Sequence, residues 1–151
     1  MTATPSDPIL AAPILAARIL VVDDEPEILA SVAGYLRRRG EQVITASSFS
    51  EGMEILAAPG TPIDILITDV RMPDGSGVDL VRAAIKRSGG PVARILMTGH
   101  LEESDLAADL KAAGVKIFYK PFSIAALYRE VRAEWEAHRV PGPPPEPPSV
   151  G

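Results

Sequence analysis

The stretch "RILVVDDEPEI", residues 18–28, runs an apolar segment straight into three acids and a proline. Like charges a few ångströms apart repel, and each resists leaving water. Helix entry explains part of the pattern. Pro26 suits a first helical position, and acids before it favour the positive end of the helix dipole. That accounts for one acid, or two. To hold Asp23, Asp24 and Glu25 together, positive charge must come from elsewhere in the chain.

Outward from this stretch, short β-type runs alternate with helical patterns, as in a parallel sheet covered by helices. The expected strands are "RILVV" (18–22), "QVITA" (42–46), "DILIT" (64–68), "ARILM" (93–97) and "KIFY" (116–119). Continuous apolar runs such as "ILIT" suit central strands buried on both faces. Between them Ile28, Leu29, Val32 and Leu36 recur at helical spacing, and "RRRG" closes that segment with basic residues and a glycine stop. Met53 and Leu56 mark a short second helix, Val78, Val81 and Ile85 a third, and Leu106 and Leu110 a fourth. Ile124, Leu127, Tyr128, Val131 and Trp135 line a fifth, with Ser123 as its cap. Five βα units predict a doubly wound α/β domain, with its site where strands end and loops begin.

The 151 residues fit one domain with short extensions. Hydrophobic residues make up 46% and charged residues 23%, so an ordinary core is expected. The chain has no cysteine, which excludes disulfides and thiolate metal sites. A net charge of −5 argues against wrapping nucleic acid and favours attraction of cations. The apolar residues 9–17 lack a basic lead, contain Pro13 and are too short to span a bilayer. No membrane association and a cytoplasmic location are expected. Residues 1–16 are expected to form an N-terminal extension, 17–138 the domain, and 139–151 a proline-rich tail. That tail ends in "PGPPPEPPSVG", whose composition suits an extended, polyproline-like conformation.

The polar residues at strand ends supply the missing charge. The first expected strand ends at Asp23 and Asp24, the third at Asp69, the fourth at Thr98 and Gly99, the fifth at Lys120 and Pro121. In a parallel sheet these ends share one edge. Three carboxylates there need positive charge. Lys120 supplies one unit, and a hard divalent cation such as Mg²⁺, which takes oxygen ligands, would supply two more. Each residue alone has a plainer explanation: a helix cap for an Asp, a turn for Asp74–Gly75, a solvated side chain for a Lys. The joint pattern, in order, does not.

The segments "VVDDEPE", "ILITDVRMPDGSG", "ILMTGH" and "YKPF" resemble the receiver domain of bacterial two-component response regulators. The resemblance implies a flavodoxin-like fold with strand order 2-1-3-4-5. It also implies a phosphorelay function in which Asp69 accepts a phosphoryl group from a sensor histidine kinase or histidine phosphotransfer protein. Asp24 would bind Mg²⁺ directly and Asp23 through water, with Asp69 and the backbone carbonyl of Arg71 as further ligands. Thr98 would bond a phosphoryl oxygen, and Lys120 would pair with the phosphoryl group. A downstream protein target would dock on the face formed by residues 102–113, 116–119 and 123–138. Such a chain catalyses its own phosphorylation and dephosphorylation and turns over no separate substrate.

Two positions depart from the resembled pattern. Three residues before Lys120, where the family usually carries a switch Tyr or Phe, stands Ile117, and the run from Gly114 to Lys120 is one residue short. Arg71 and His100 would flank the phosphate entrance. Two other functions compete. A pseudo-receiver that is never phosphorylated would lack an acid or Lys120, and all are present. A phosphatase of the haloacid dehalogenase type wants two acids separated by one residue after its first strand, and here they are adjacent.

Overall fold

The computed structural model describes residues 17–60, 62–87, 91, 93–99 and 108–138. The expected terminal extension and tail, His100, Leu106 and residues 102–107 of the expected docking face lie outside them. In chain order the elements are β1 (Arg18–Val22), α1 (Pro26–Arg38), β2 (Gln42–Ala46), α2 (Phe49–Ala57) and β3 (Ile65–Asp69). After these come β4 (Arg71–Met72), β5 (Gly75–Ser76), α3 (Gly77–Lys86), β6 (Ala93–Thr98), α4 (Ala108–Ala112), β7 (Lys116–Tyr119) and α5 (Ile124–His138).

Five parallel strands form one sheet in the order β2-β1-β3-β6-β7, which is the expected 2-1-3-4-5 order of the main strands. Strand alternation divides the core into two layers. Ile19, Val21, Ile65, Ile67, Ile95 and Met97 pack with Val32 and Leu36 of α1 and Leu127, Tyr128 and Val131 of α5. Leu20, Val22, Leu66 and Leu96 pack with Leu56 of α2, Leu80 and Val81 of α3 and Leu110 of α4. Each such fully buried aliphatic side chain contributes on the order of 2 kcal/mol. β3, at the centre, is buried along its whole length.

Helix ends follow the sequence signals. α1 begins with Pro26 after the cap residue Glu25, and it stops at basic residues and Gly40, whose φ of 90° favours glycine. At α5 the Ser123 hydroxyl accepts the Ala126 N–H at 3.2 Å. Tyr128 donates its hydroxyl to the buried Glu41 carboxylate, and Arg132 donates to the Tyr128 oxygen at 3.3 Å, so α5 is tied to the turn after α1. No described helix is long and apolar enough to cross a membrane.

Two strands run one residue further than their apolar runs. Asp69 pairs with Met97 in register, and Thr98 pairs with Tyr119. The two expected site residues are therefore the last members of their strands, fixed by the ladder itself. Beyond Asp69 the chain turns through an antiparallel ribbon in which Arg71 faces Ser76 and Met72 faces Gly75. Asp74 lies in the turn of this ribbon, as expected, and Gly75 opens its second strand.

The ribbon returns to its starting point at Gly77. Its N–H donates to the Val70 carbonyl at 2.8 Å, and a Cβ added there would drive into the backbone carbonyl of Asp69. Backbone cannot swing aside as a flexible side chain can. Gly77→Ala should therefore destabilise the fold by about 3 kcal/mol, at the upper end of ordinary overpacking. Gly99→Ala, where an added Cβ meets nothing within 4 Å, should change stability by no more than about 0.5 kcal/mol. Chemical denaturation of the two variants checks this, and equal midpoints would contradict the close approach at Gly77.

Candidate functional site

The carboxyl ends of β1, β3, β6 and β7 bring Asp23, Asp69, Thr98 and Lys120 to one edge. Asp23 is fully buried. Its N–H donates to the Ala46 carbonyl at 3.1 Å, and its Oδ1 accepts the Glu25 N–H at 2.8 Å. One carboxylate thus both ends the strand and shapes the entry to α1. Lys120 is placed by its own N–H, which donates to the Thr98 carbonyl at 2.6 Å. Its Nζ lies 3.1 Å from Asp69 Oδ1, 3.1 Å from Glu25 Oε1 and 3.4 Å from Asp23 Oδ2.

Asp23, Asp24 and Asp69 each bring a carboxylate oxygen within 4.8 Å of the others. A pocket of about 220 Å³ opens over them, lined by Asp24, Glu25, Asp69, Arg71, Thr98, Gly99 and Lys120. All six expected site residues are therefore at this edge: Asp23, Asp24, Asp69, Thr98 and Lys120 at strand ends, and Arg71 on the ribbon at the rim. Glu25 is an addition. In sequence it reads as an acid of helix entry, and nothing local signals its pairing with a lysine 95 positions away.

Charge at this edge is unbalanced. Burial pushes the Asp69 carboxyl up from its ordinary 3.8 to about 6, with the Lys120 hydrogen bond opposing and the nearby Asp23 charge adding to the rise. Burial likewise raises Asp23, against the Glu25 amide and Lys120. For Lys120 burial favours the neutral amine, but the carboxylates of Asp69, Glu25 and Asp23 outweigh it and hold the ammonium above its usual range. Three convergent carboxylates, two of them burdened by their own charge, form an all-oxygen donor set that suits a small hard cation. The residues present fit Mg²⁺.

The departure at β7 has a definite geometry. Ile117 packs on the α2–α4 side of the sheet, whereas Phe118 packs on the α1–α5 side, edge-on to Phe122. Alternation returns Tyr119 to the face of Ile117, in register with Thr98 and 38% exposed. The aromatic on the Thr98 side of this strand therefore stands one place before Lys120, not three.

Residues 19–132 match the family model described as the response regulator receiver domain. KdpE of Mycobacterium tuberculosis, a transcriptional regulatory protein, is 35% identical over 115 residues, covering 76% of this chain and 49% of that protein. The response regulator PilR of Pseudomonas aeruginosa is 37% identical over 111 residues, covering 73% of this chain and 24% of that one. The chain thus spans half or less of the length of these relatives. Among solved structures, a response regulator receiver domain from Clostridium thermocellum superposes with a TM-score of 0.70 at 34% identity, covering 80% of this chain and 95% of that one. The response regulator TrrA of Thermotoga maritima, solved in complex with Mg²⁺ and BeF, gives a TM-score of 0.66 at 28% identity, covering 78% of this chain and 98% of that one. With its strand order, acidic edge and strand-end lysine, the chain belongs to the response regulator receiver domain family.

Proposed function

We propose that this chain is a phospho-accepting receiver of two-component signalling, with Asp69 as the acceptor. The observation that carries it is the Lys120 ammonium 3.1 Å from Asp69 Oδ1, beside two further carboxylates that share a cation-sized space. A carboxyl with its pKa near 6 is mostly ionised at neutral pH and able to act as a nucleophile. An oxygen of Asp69 attacks phosphorus, and the P–N bond of a donor phosphohistidine breaks. The electron pair leaves with the imidazole nitrogen, and an acyl phosphate forms on Asp69. The donor is a sensor histidine kinase or a histidine phosphotransfer protein.

Charge spreads over the equatorial oxygens as the phosphoryl group moves, so catalysis is mainly positioning and neutralisation. Lys120 pairs with one of these oxygens, and the Thr98 hydroxyl bonds another. Asp23, Asp24, Asp69 and the Arg71 carbonyl would hold Mg²⁺, which when bound supplies charge neutralisation at the phosphoryl oxygens. Gly99 leaves open space beside the group. Water then hydrolyses the acyl phosphate and resets the domain. Output passes to a protein target through the face built from α4, β7 and α5.

The acceptor role is tested by acetyl phosphate in the presence of Mg²⁺. Wild-type protein is expected to take up acid-labile phosphate, and Asp69→Asn none while remaining folded. Stoichiometric labelling of the variant would remove Asp69 from this role.

Asp69 also predicts a pH dependence of the cation-free protein. Its folded-state pKa of about 6 lies above the ordinary 3.8, so between those values the folded chain keeps a proton that the unfolded chain has released. Stability from this group is present below about pH 4 and is lost as pH rises through about 6, to a limit of about 3 kcal/mol. In a chelator at pH 7, Asp69→Asn should therefore be more stable than wild type by about 2 kcal/mol, with the gap closing toward pH 4. Saturating Mg²⁺ should shrink the same gap. Denaturation midpoints that show wild type the more stable at pH 7 in chelator would reject this account of the charge.

A further inference from the structure

The β4–β5 ribbon has only two residues in each strand, and a hairpin of that size is at best marginally stable alone. Yet it carries Arg71 to the rim of the acceptor pocket. Its root is fixed where Gly77 abuts the Asp69 carbonyl, and Ser76 leads into α3 by accepting the Val78 N–H at 3.1 Å. The tip is fixed by something else. Asp74 Oδ1 accepts the Phe49 N–H at 3.0 Å, and its Oδ2 accepts the Ser50 N–H at 2.9 Å and the Ser50 hydroxyl at 2.7 Å. Beside it Gly75 lies so close to the Phe49 ring that a Cβ would overlap it.

The first turn of α2 leaves amide donors without intrahelical partners. Ser48 satisfies one, accepting the Glu51 N–H at 3.1 Å, as an ordinary cap does. The Phe49 and Ser50 amides are satisfied instead by a residue about 25 positions away, on the loop that leaves the acceptor. Such a contact ties the position of the loop to a helix packed in the core, through Gly52 and Leu56.

We propose that Asp74 is a positioning residue for the acceptor pocket: its carboxylate, clamped on the N-terminal amides of α2, holds the β4–β5 ribbon so that Arg71 stays at the rim beside Asp69. The proposal rests on the receiver reading for what the pocket does, and on geometry for the clamp. Loss of the clamp frees the ribbon tip and loosens the Arg71 backbone, which that reading counts among the cation ligands. The acids at the strand ends stay in place.

Ser48 provides the control, because its hydroxyl caps the same helix through Glu51 and makes no hydrogen bond to the ribbon. Full-length wild type, Asp74→Ala, Asp74→Asn and Ser48→Ala are titrated with Mg²⁺, following backbone amide shifts, with thermal melts alongside. Both alanine variants are expected to melt lower. Asp74→Ala is expected to weaken Mg²⁺ binding by about tenfold, the lower end of what outer partners of a metal site cost. Asp74→Asn, with one acceptor oxygen left, falls between it and wild type, and Ser48→Ala binds as wild type does. Unchanged Mg²⁺ affinity in both Asp74 variants overturns the proposal, as does equal weakening in Ser48→Ala, or a wild-type protein that binds no Mg²⁺. Acetyl phosphate labelling of wild type separates the two readings. Absent labelling with intact Mg²⁺ binding defeats the acceptor role, while the comparison of affinities still decides the role of Asp74.

Discussion

Lys120 holds carboxylates from two other strand ends and from the head of α1, and the acidic edge is arranged around that contact. A parallel sheet sends every strand end of one kind to the same side, so groups far apart in sequence are forced into proximity there. The ionised forms of Asp23 and Asp69 are costly because both are buried, and one ammonium cannot neutralise them together with Asp24 and Glu25. The fold therefore keeps a local excess of negative charge that it would be more stable without. A site of this kind is poised for positive charge and for groups that arrive with it.

Most of that arrangement was legible because it depends on strand ends, and strand ends are visible in sequence. Apolar runs such as "RILVV" and "ILIT" stop abruptly at acids, and "KIFY" stops at Lys120. Parallel topology then does the rest without further information. Asp69 and Thr98, expected at strand ends, are themselves paired in the ladder, because backbone pairing continues under a polar side chain that interrupts the apolar run. Glu25 reads in sequence as part of helix entry, a role compatible with its position, while its partner lies at the far end of the domain.

The segment from Asp69 to Gly77 was the hardest part to foresee. Proline, aspartate and glycine in a row announce a turn, and turn chemistry alone accounts for them. What decides their positions is tertiary: Gly77 must be bare because the Asp69 carbonyl occupies the space, and Gly75 because the Phe49 ring does. Asp74 faces outward and is nevertheless fully engaged by α2. Local propensity permits this conformation, and long-range contact selects it.

The end of β7 shows how a short strand limits the routes away from the pocket. Thr98 and Lys120 are joined through the backbone by a 2.6 Å hydrogen bond, and Tyr119 sits between them in the ladder. Ile117, two residues earlier on the same face, is aliphatic and offers no polar handle. Tyr119 has a hydroxyl, and the residue is more than one-third exposed. An equilibrium shifts only through groups that interact differently in its two states. By that criterion the polar handle on this face of β7 lies at the strand end with Tyr119, in register with Thr98, and not at Ile117.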